Sequence, residues 1–189
     1  MKPVLLEVPR KFETERLLIS DYEEGDGNEF YQVIRSNYDY LREELTEINT
    51  LESSEDAEEY VRLKRIAWLS RERFVPKIVD KATGRMVGQL WIEPKWDRMI
   101  FQIGYFIEER SQGNGYAAEA VKRMIEFLFT ELDASKLEIH TKPSNSRSIG
   151  IALGCGFTKE GQLQERGRTS AGEAVDLQIY GLLRSEFSH

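Results

Sequence analysis

The chain of 189 residues contains one cysteine and two histidines, and both low counts exclude classes of protein. A lone Cys155 cannot form an internal disulfide framework, which fits a protein kept in a reducing cytoplasm. Two histidines, His140 and His189, argue against a zinc site and against a histidine-dependent catalytic triad. We therefore expect neither a metal nor structural disulfides.

Long apolar runs and an excess of basic residues are also missing. No apolar run approaches the roughly 20 residues that a membrane-spanning helix needs, and the apolar part of MKPVLLEVPRK is too short for a signal peptide. The net charge of −7, without a basic stripe, argues against nucleic acid. What is present, 40% hydrophobic and 31% charged residues, predicts one globular domain over residues 1–189 with a sizeable core.

The most informative stretch runs from Ile103 to Leu132. It begins with the β-favouring run IGYFI, continues through a short polar link to Gly113-Asn114-Gly115, and then becomes an amphipathic helical pattern from Tyr116 onward. In a strand–glycine turn–helix arrangement the first helical amides point into the turn without intrahelical partners. Those amides and the positive end of the helix dipole suit a phosphate group, which predicts a phosphate-binding loop here.

Three kinds of phosphate loop are conceivable for this stretch. A Walker loop is excluded because no lysine followed by a hydroxyl residue stands at the required spacing after Gly115. Gly113, Gly115 and Ala118 satisfy the dinucleotide pattern GxGxxA, but five residues separate strand from first glycine and no βαβ series surrounds them. The third pattern, (Gln/Arg)-x-x-Gly-x-(Gly/Ala), is matched at every defined position by residues 112–117. A glycine turn that merely connects the strand to the helix is the structural alternative.

The rest of the chain alternates helical and strand patterns without an internal repeat. Helical periodicity is typical of residues 27–35, 54–70 and 146–153, with Ser53 or Ser54 as the cap of the second helix. Strands are predicted over residues 16–20, 74–80, 85–93, 99–107, 136–142, 158–165 and 174–183. The strands at 99–107 and 136–142 flank the long helix, so we expect them to be parallel neighbours joined by one crossover.

Acidic residues are concentrated in residues 21–60, which hold 14 Asp or Glu against only Arg35 and Arg42. A solvated helical face accounts for many of these side chains. The segment could instead form an acidic wall that gathers a cationic substrate near the site. Both interpretations are compatible with the sequence.

Residues 112–117 resemble the pyrophosphate loop of the GNAT N-acetyltransferases, and other parts of the chain are similar to the same family. Asn145-Ser146-Arg147-Ser148 and Gly156-Phe157 stand where the family has an Asn-x-x-Ser element and a Gly-Phe pair. The opening Thr14-Glu15-Arg16-Leu17, Asp176 and the closing Tyr180-Gly181-Leu182-Leu183-Arg184 are similar to the RimJ/RimL branch, the ribosomal-protein N-acetyltransferases and their relatives.

The resemblance implies an α+β fold: a mixed, mostly antiparallel sheet, splayed in the middle, with helices on both faces and acetyl-CoA in the splay. It implies that backbone groups of Phe106 and Ile107 pair with the pantetheine arm and that Asn145 bonds the same arm. The pyrophosphate would lie in the loop of Gln112, Gly113, Asn114, Gly115, Tyr116 and Ala117.

The resemblance also implies direct transfer of an acetyl group to a primary amine in a ternary complex. The acceptor would be a protein N-terminal α-amine or a small cationic amine, and a homodimer is compatible with this interpretation. Many members use a tyrosine to protonate the departing thiolate, but Ala152 occupies that position, so Ser148 is the expected donor, unless it only steadies its helix. Gln102 replaces a common glutamate base, so Glu165 is preferred as base over Glu93 and Glu138, with solvent as the remaining alternative.

Two other functions stay open at the level of sequence. Gln102 and Ala152 leave room for a CoA-binding sensor or interaction module that does not turn over. A dinucleotide-binding oxidoreductase is the third hypothesis. Cys155 lies in a Gly154–Phe157 turn, where a small apolar residue packs, so we expect it in the core rather than in an acyl-enzyme.

Overall fold

The computed structural model describes residues 2–42 and 45–187, which form eight strands and five α-helices. The strands are β1 (Lys11–Glu13), β2 (Leu17–Ser20), β3 (Lys77–Asp80), β4 (Arg85–Lys95), β5 (Ile100–Ile107), β6 (Lys136–Thr141), β7 (Thr158–Arg168) and β8 (Ala174–Leu183). The helices are α1 (Gly27–Ser36), α2 (Tyr38–Leu41), α3 (Ser54–Ser70), α4 (Tyr116–Thr130) and α5 (Ser146–Gly154).

All eight strands belong to one sheet with the order β1-β2-β3-β4-β5-β6-β8-β7. Every neighbouring pair is antiparallel except β5 and β6, which are parallel and are joined through α4. The mixed, mostly antiparallel sheet and the single crossover through the long helix are therefore confirmed. The two parallel strands lie in the middle of the sheet, where neither can be an edge.

The parallel pair is joined at one end only. Ile100, Phe101 and Gln102 pair with Lys136, Leu137 and Glu138, and the register ends there although β5 continues to Ile107 and β6 to Thr141. Beyond that point, the backbone polar groups on the two facing edges have no partner strand, and a strand edge of this kind can accept an extended ligand. The expected splay therefore lies between the second halves of β5 and β6.

Helices cover both faces of the sheet and bury two apolar clusters. The larger cluster includes the apolar face of α4 (Ala120, Val121, Met124, Ile125 and Leu128), which is the face that the helical periodicity predicted. The smaller one joins Phe30 and Ile34 of α1 to Ala57 and Val61 of α3 and to Phe106 of β5. Each fully buried large apolar side chain contributes roughly 1.5–3 kcal/mol, so these clusters hold both helical layers against the sheet.

Local patterns predicted the long elements well and missed the short ones. The bounds of α3 are those expected, and Ser53 is its cap, because its side chain accepts from the Asp56 amide while Asp56 binds back to Ser53. The strand β1 and the helix α2 were not predicted, since three or four residues carry no periodicity. The strand β7 extends to Arg168, so part of the expected 166–173 loop is in the sheet.

Candidate active site

A cleft of about 1180 Å³ opens where β5 and β6 part. Its walls are the second halves of those two strands, the glycine loop, the start of α4 and the first turns of α5. Tyr40, Trp91 and Gln102 line it, as do Gly167, Arg168 and Leu177 of the β7–β8 pair. The glycine loop and the parted strands thus share one cavity, as the resemblance implies.

The backbone phase of β5 decides which of its amides face this cleft. On the side of β6, the Met99 carbonyl accepts a hydrogen bond from the Ser135 amide at 2.8 Å. On the side of β4, the Glu108 amide donates a hydrogen bond to the Val87 carbonyl at 2.8 Å. Because strand residues alternate and the β4–β5 register is continuous, Ile103, Tyr105 and Ile107 turn their backbone groups to the cleft. The backbone groups of Phe106 turn to β4. Tyr105, and not Phe106, therefore presents its backbone to the cleft at the position where the resemblance implied a contact with the pantetheine arm.

The glycine loop has the backbone that a phosphate site requires. Gly113 and Gly115 have φ of +80° and +79°, values that glycine adopts without the steric cost of a Cβ. The amides from Gly113 to Ala117 have no acceptor among the described residues, and they lie at the N-terminus of a helix of 15 residues. These amides fit the expected pyrophosphate.

The side chains of Gln112 and Asn114 shape this loop from within. The Gln112 amide donates to the Ile107 carbonyl at 3.0 Å, and its oxygen accepts from Arg147 of α5. The Asn114 amide donates to the Ser111 carbonyl at 3.1 Å. Gln112 therefore ties the loop to β5 and to α5, and it uses one of the two lone pairs of the Ile107 carbonyl.

The opening segment of the chain braces the loop from outside. The Arg16 guanidinium binds Oε2 of Glu119 at 2.6 Å and the Asn114 carbonyl at 2.8 Å, and it lies 4.9 Å from the centre of the Tyr116 ring. Glu119 also accepts from the Thr14 hydroxyl at 2.5 Å. Burial raises the pKa of Glu119, but the bonds from Thr14 and Arg16 outweigh it and lower the pKa. The Thr14–Leu17 motif thus fixes the first turn of α4.

Asn145 and Ser148 lie together at the start of α5. Asn145 Oδ1 accepts from the Ser148 amide at 3.1 Å and caps the helix, which leaves Asn145 Nδ2 as the donor available to a ligand. The Ser148 hydroxyl accepts from the Tyr105 hydroxyl at 3.3 Å and is not the helix cap. Burial raises the pKa of Tyr105 to about 12, so that its hydroxyl is protonated at neutral pH.

The three carboxylates considered as bases occupy different surroundings. Glu165 has φ of +51° in an irregular part of β7, its amide donates to Asp176 at 2.9 Å, and its side chain is exposed and outside the cleft lining. Glu93 pairs with Arg73 at 3.0 Å. Glu138 is buried beside the cleft-lining His140. The structure therefore brings Glu138, and not Glu165, to the parted strands.

The acidic segment does not form a wall along the described cleft. Of the described residues between 21 and 60, Tyr40 alone lines it, and Glu109 is the one carboxylate among the described lining residues. Several of the acidic side chains have structural partners: Glu58 binds the Gly25 and Gly27 amides, Glu29 binds the Met86 amide, and Asp26 binds Lys77. Glu43 and Glu44, like His189, lie outside the described residues.

Two residues that line the cleft, Trp91 and Arg147, were not predicted, although the sequence carries a signal for each. A Cβ at Gly104 would lie 2.0 Å from the Trp91 indole, so this glycine allows Trp91 to lie flat across β5 and line the cleft. The glycine inside an otherwise β-branched and aromatic run was the available signal. Arg147 also lines the cleft, and its position inside the Asn145–Ser148 element marked it.

Cys155 is half-buried against the larger core cluster and does not line the cleft. Burial raises the pKa of its thiol, which is the opposite of what a nucleophilic cysteine needs. Within residues 2–42 and 45–187, no group of three or more potential ligand side chains is arranged to hold a metal ion. No helix formed by these residues is both long and apolar enough to cross a bilayer.

Comparison with known proteins agrees with this geometry. The family model for the acetyltransferase (GNAT) domain matches residues 16–158. N-acetyltransferase p20 of Bacillus licheniformis, itself uncharacterized, is 32% identical over 87 residues, which are 46% of this chain and 48% of that protein. Spermidine N(1)-acetyltransferase of Vibrio cholerae is 29% identical over 115 residues, 60% of this chain and 64% of that protein. The matched segments thus span about half to two thirds of these relatives.

Solved structures extend the likeness over nearly the whole chain. RimL, a ribosomal L7/L12 alpha-N-protein acetyltransferase in complex with coenzyme A, superposes with a TM-score of 0.84 at 19% identity and covers 90% of this chain and 95% of its own. At that identity the superposition shows a common fold. Since the family model spans most of the chain, the chain belongs to the GNAT family of acetyltransferases.

Proposed function

We propose that the protein is an acetyl-CoA-dependent N-acetyltransferase that acts on a primary amine by direct attack in a ternary complex. One observation carries the proposal: the parted strands leave a free backbone edge that ends at a loop of unpartnered amides. An extended pantetheine arm needs the edge, and a pyrophosphate needs the amides, so the two features together fit a CoA thioester. The named activity of the relatives supports the same reaction class.

The cofactor contacts follow from the groups that face the cleft. Backbone groups of Tyr105 and Ile107 would pair with the pantetheine amides as an added strand would, with Asn145 Nδ2 as a further donor. The amides of Gly113, Gly115, Tyr116 and Ala117 would hold the pyrophosphate, with Arg147 adding positive charge at the same wall. The pantetheine contact expected of Phe106 is assigned to its neighbour Tyr105, because the backbone groups of Phe106 face β4 and those of Tyr105 face the cleft.

The chemistry needs a neutral amine, a donor for the oxyanion and a proton for the departing thiolate. A cleft-facing amide of β5, at Ile103 or Tyr105, is the candidate oxyanion donor. Ser148 is the proposed proton donor, because the Tyr105 hydroxyl occupies a lone pair of Ser148 Oγ and leaves the serine proton free to be donated. Glu165 stays a prediction for the base, although its side chain is exposed outside the cleft lining.

The acceptor is proposed as a class. A protein N-terminal α-amine and a small amine are the two candidates, since RimL is named for the first and the Vibrio relative for spermidine. The described cleft wall gives no special support to a strongly cationic acceptor, because Glu109 is its one described carboxylate.

Calorimetry with acetyl-CoA tests the cofactor site. The Gly115→Glu variant places a charged side chain among the loop amides at a positive φ, so we expect binding to be lost. Gly84→Glu is the matched control, because Gly84 also has a positive φ (+69°), lies in the β3–β4 turn and has no atom within 4 Å of an added Cβ. Equal affinity in both variants and the wild type would contradict the loop assignment.

Release of CoA thiol from acetyl-CoA tests turnover. A panel of N-terminal peptides, polyamines and neutral amines is offered, and the acetylated product is identified by mass spectrometry. Acceptor-dependent release supports the transferase. Binding of acetyl-CoA without release for any acceptor favours the sensor alternative, which Gln102 and the fully buried Ala152 support because neither supplies the acid or base found in many relatives.

A further inference from the structure

His140 and Glu138 form a hydrogen-bonded pair at the point where β5 and β6 part. The His140 Nε2 atom lies 3.1 Å from Glu138 Oε2, and the two side chains are only 16% and 11% exposed. Glu138 is the last residue of β6 that pairs with β5, opposite Gln102. His140, two residues further on, lies beyond the paired part and lines the cleft. The His140 side chain therefore lies at the wall of the cleft, next to the point where the two strands part.

Two lysines hold the Glu138 carboxylate in its charged form. Lys95 of β4 lies 3.1 Å from Oε2, and Lys136 of β6 lies 3.3 Å from Oε1. Burial raises the pKa of Glu138, but the hydrogen bonds and charges of the two lysines outweigh it and lower the pKa. A carboxylate of this kind accepts hydrogen bonds and donates none.

The charged carboxylate determines the tautomer of a neutral His140. Because Glu138 can only accept, Nε2 carries the proton and Nδ1 keeps its lone pair. Nδ1 has no hydrogen-bond partner among the described residues. A lone pair on a ring held by a carboxylate is the feature expected of a general base.

The neighbours of His140 keep its ring neutral at pH 7. Burial is the largest influence and lowers the pKa of His140, the charge of Lys95 lowers it further, and Glu138 and Glu93 oppose both. On the other side, β8 places Ile179 opposite His140, between Gln178 and Tyr180, whose hydroxyl donates to Gln178 at 2.9 Å. The net pKa lies below the ordinary value, so at pH 7 the ring is neutral, with its one proton on Nε2, and Nδ1 can accept a second proton.

We propose that His140 is the general base that takes the proton from the acceptor amine, and that Glu138 is a positioning residue that fixes its tautomer. This inference rests on the proposed acetyltransferase function and deepens it. It assigns the base to β6, in place of the exposed Glu165 on β7. Glu138 and Lys136 are close to His140 in the sequence, but Lys95 and the walls of the cleft are brought to this pair only by the fold.

The groups named above account for every proton that moves in the acetyl transfer. Nδ1 of His140 takes one proton from R–NH3⁺, and the amine lone pair attacks the thioester carbonyl carbon. When the tetrahedral species collapses, the C–S bond breaks and the thiolate receives a proton from Ser148, which regains one from the attacking nitrogen directly or through water. The imidazolium then releases its proton to solvent. The products are R–NH–CO–CH3, CoA–SH and one proton.

Turnover of three variants tests the assignment with an amine that the wild type acetylates. We expect His140→Gln to lower kcat about a hundredfold at pH 7 and to leave acetyl-CoA affinity within about twofold. Glu138→Gln is expected to lower kcat about tenfold, because the ring loses its anionic partner. Glu160→Gln is the matched control: Glu160 also pairs with Lys136, at 2.5 Å, but lies on β7 outside the cleft lining, so kcat is expected to be unchanged.

Two further measurements are the pH profile of kcat/KM and the NMR spectrum of the imidazole ring. Neither result would be expected if His140 had only a structural role. We expect kcat/KM of the wild type to fall at low pH as His140 is protonated, and this acid limb should be absent in His140→Gln. Nitrogen-15 NMR of the imidazoles should show the Nε2–H tautomer for His140, and the pKa of the ring should fall further in Glu138→Gln. The chain has only one other histidine, His189, so His140→Gln also assigns the signals.

Each alternative outcome has a distinct meaning. Full turnover in His140→Gln, a loss of turnover in Glu165→Gln alone, or the Nδ1–H tautomer would overturn the role of His140 and leave the acetyltransferase function standing. A wild-type chain that binds acetyl-CoA but acetylates no amine of the panel would overturn both. Weaker acetyl-CoA binding in His140→Gln, in parallel with the loss of kcat, would show a structural role and also overturn the assignment.

Discussion

The Nη2 atom of Arg16 lies 2.6 Å from Oε2 of Glu119, although the two residues stand 103 positions apart in the sequence. The same guanidinium reaches the Asn114 carbonyl at 2.8 Å and covers the Tyr116 ring. A planar group with several donors can make these contacts at once, whereas a lysine could not. The residue just before β2 therefore determines how rigidly the glycine loop is held.

Removal of this brace should weaken cofactor binding without unfolding the protein. We expect Arg16→Ala to lower acetyl-CoA affinity about tenfold, or about 1.4 kcal/mol, because the loop must then be ordered at the expense of binding. The acetyl-CoA affinity of Arg16→Lys should lie between those of the wild type and Arg16→Ala. Calorimetry measures the change, and Arg98→Ala is the control, since Arg98 pairs with Asp97 in the exposed β4–β5 turn. Wild-type affinity in Arg16→Ala would show that the loop needs no brace.

The Tyr105–Ser148 pair should act as a unit in protonation of the thiolate. Ser148→Ala is expected to lower kcat about ten- to hundredfold with little change in acetyl-CoA affinity. Tyr105→Phe should lower kcat less, because it removes only the bond at 3.3 Å that orients the serine. The double variant should be no slower than Ser148→Ala, and initial rates at saturating acetyl-CoA check this. Additive losses would mean that the two hydroxyls act separately.

Two adjacent serines at the start of α3 should differ in their effect on stability. Ser53 accepts from the Asp56 amide at 3.1 Å, so Ser53→Ala is expected to lower the free energy of unfolding by about 1 kcal/mol. Ser54 is the first residue of the helix beyond the cap, and Ser54→Ala should change that free energy by no more than about 0.3 kcal/mol. Urea unfolding of both variants decides which serine caps the helix. Equal losses would contradict the assigned cap.

The Glu47 carboxylate should make stability depend on pH in the acid range. It lies 2.8 Å from the Lys64 ammonium and 2.7 Å from the Arg73 guanidinium. Burial raises the pKa of Glu47, but the bonds from the two cations outweigh it and lower the pKa below its ordinary value of 4.5. Its contribution is therefore present above pH 4.5 and is lost as the pH falls through the lowered pKa.

Urea unfolding of Glu47→Gln between pH 7 and pH 3 tests this sign. Because the side chain is 44% exposed, the loss at pH 7 should be less than about 1 kcal/mol, and it should vanish toward pH 3. Glu23→Gln is the control, since Glu23 and Lys11 are both exposed and 3.9 Å apart. A difference that grows as the pH falls would contradict the assignment.

Local sequence patterns predicted the parts of this protein whose requirements are local. Two glycines with positive φ, an amphipathic helix behind them and a strand in front are each encoded by neighbouring residues. The loop from Gln112 to Ala117 was found for that reason, and so was the order of the long elements. Asn145 and Ser148 were predicted through the family motif, although the motif did not reveal that Asn145 Oδ1 is used as a helix cap.

Tertiary structure decided which of these groups face one another. The backbone of a strand alternates every residue, so a shift of one position exchanges Phe106 for Tyr105 at the cleft, and no local pattern determines that phase. Arg16 contacts Glu119, and Lys95 contacts the Glu138 carboxylate beside His140, only because the fold brings together elements that are far apart in the chain. The sequence by itself determined the backbone of the glycine loop and the elements beside it, since backbone conformation is set by near neighbours. The partners that give each side chain its charge and direction were set by packing, which joins residues far apart in the chain.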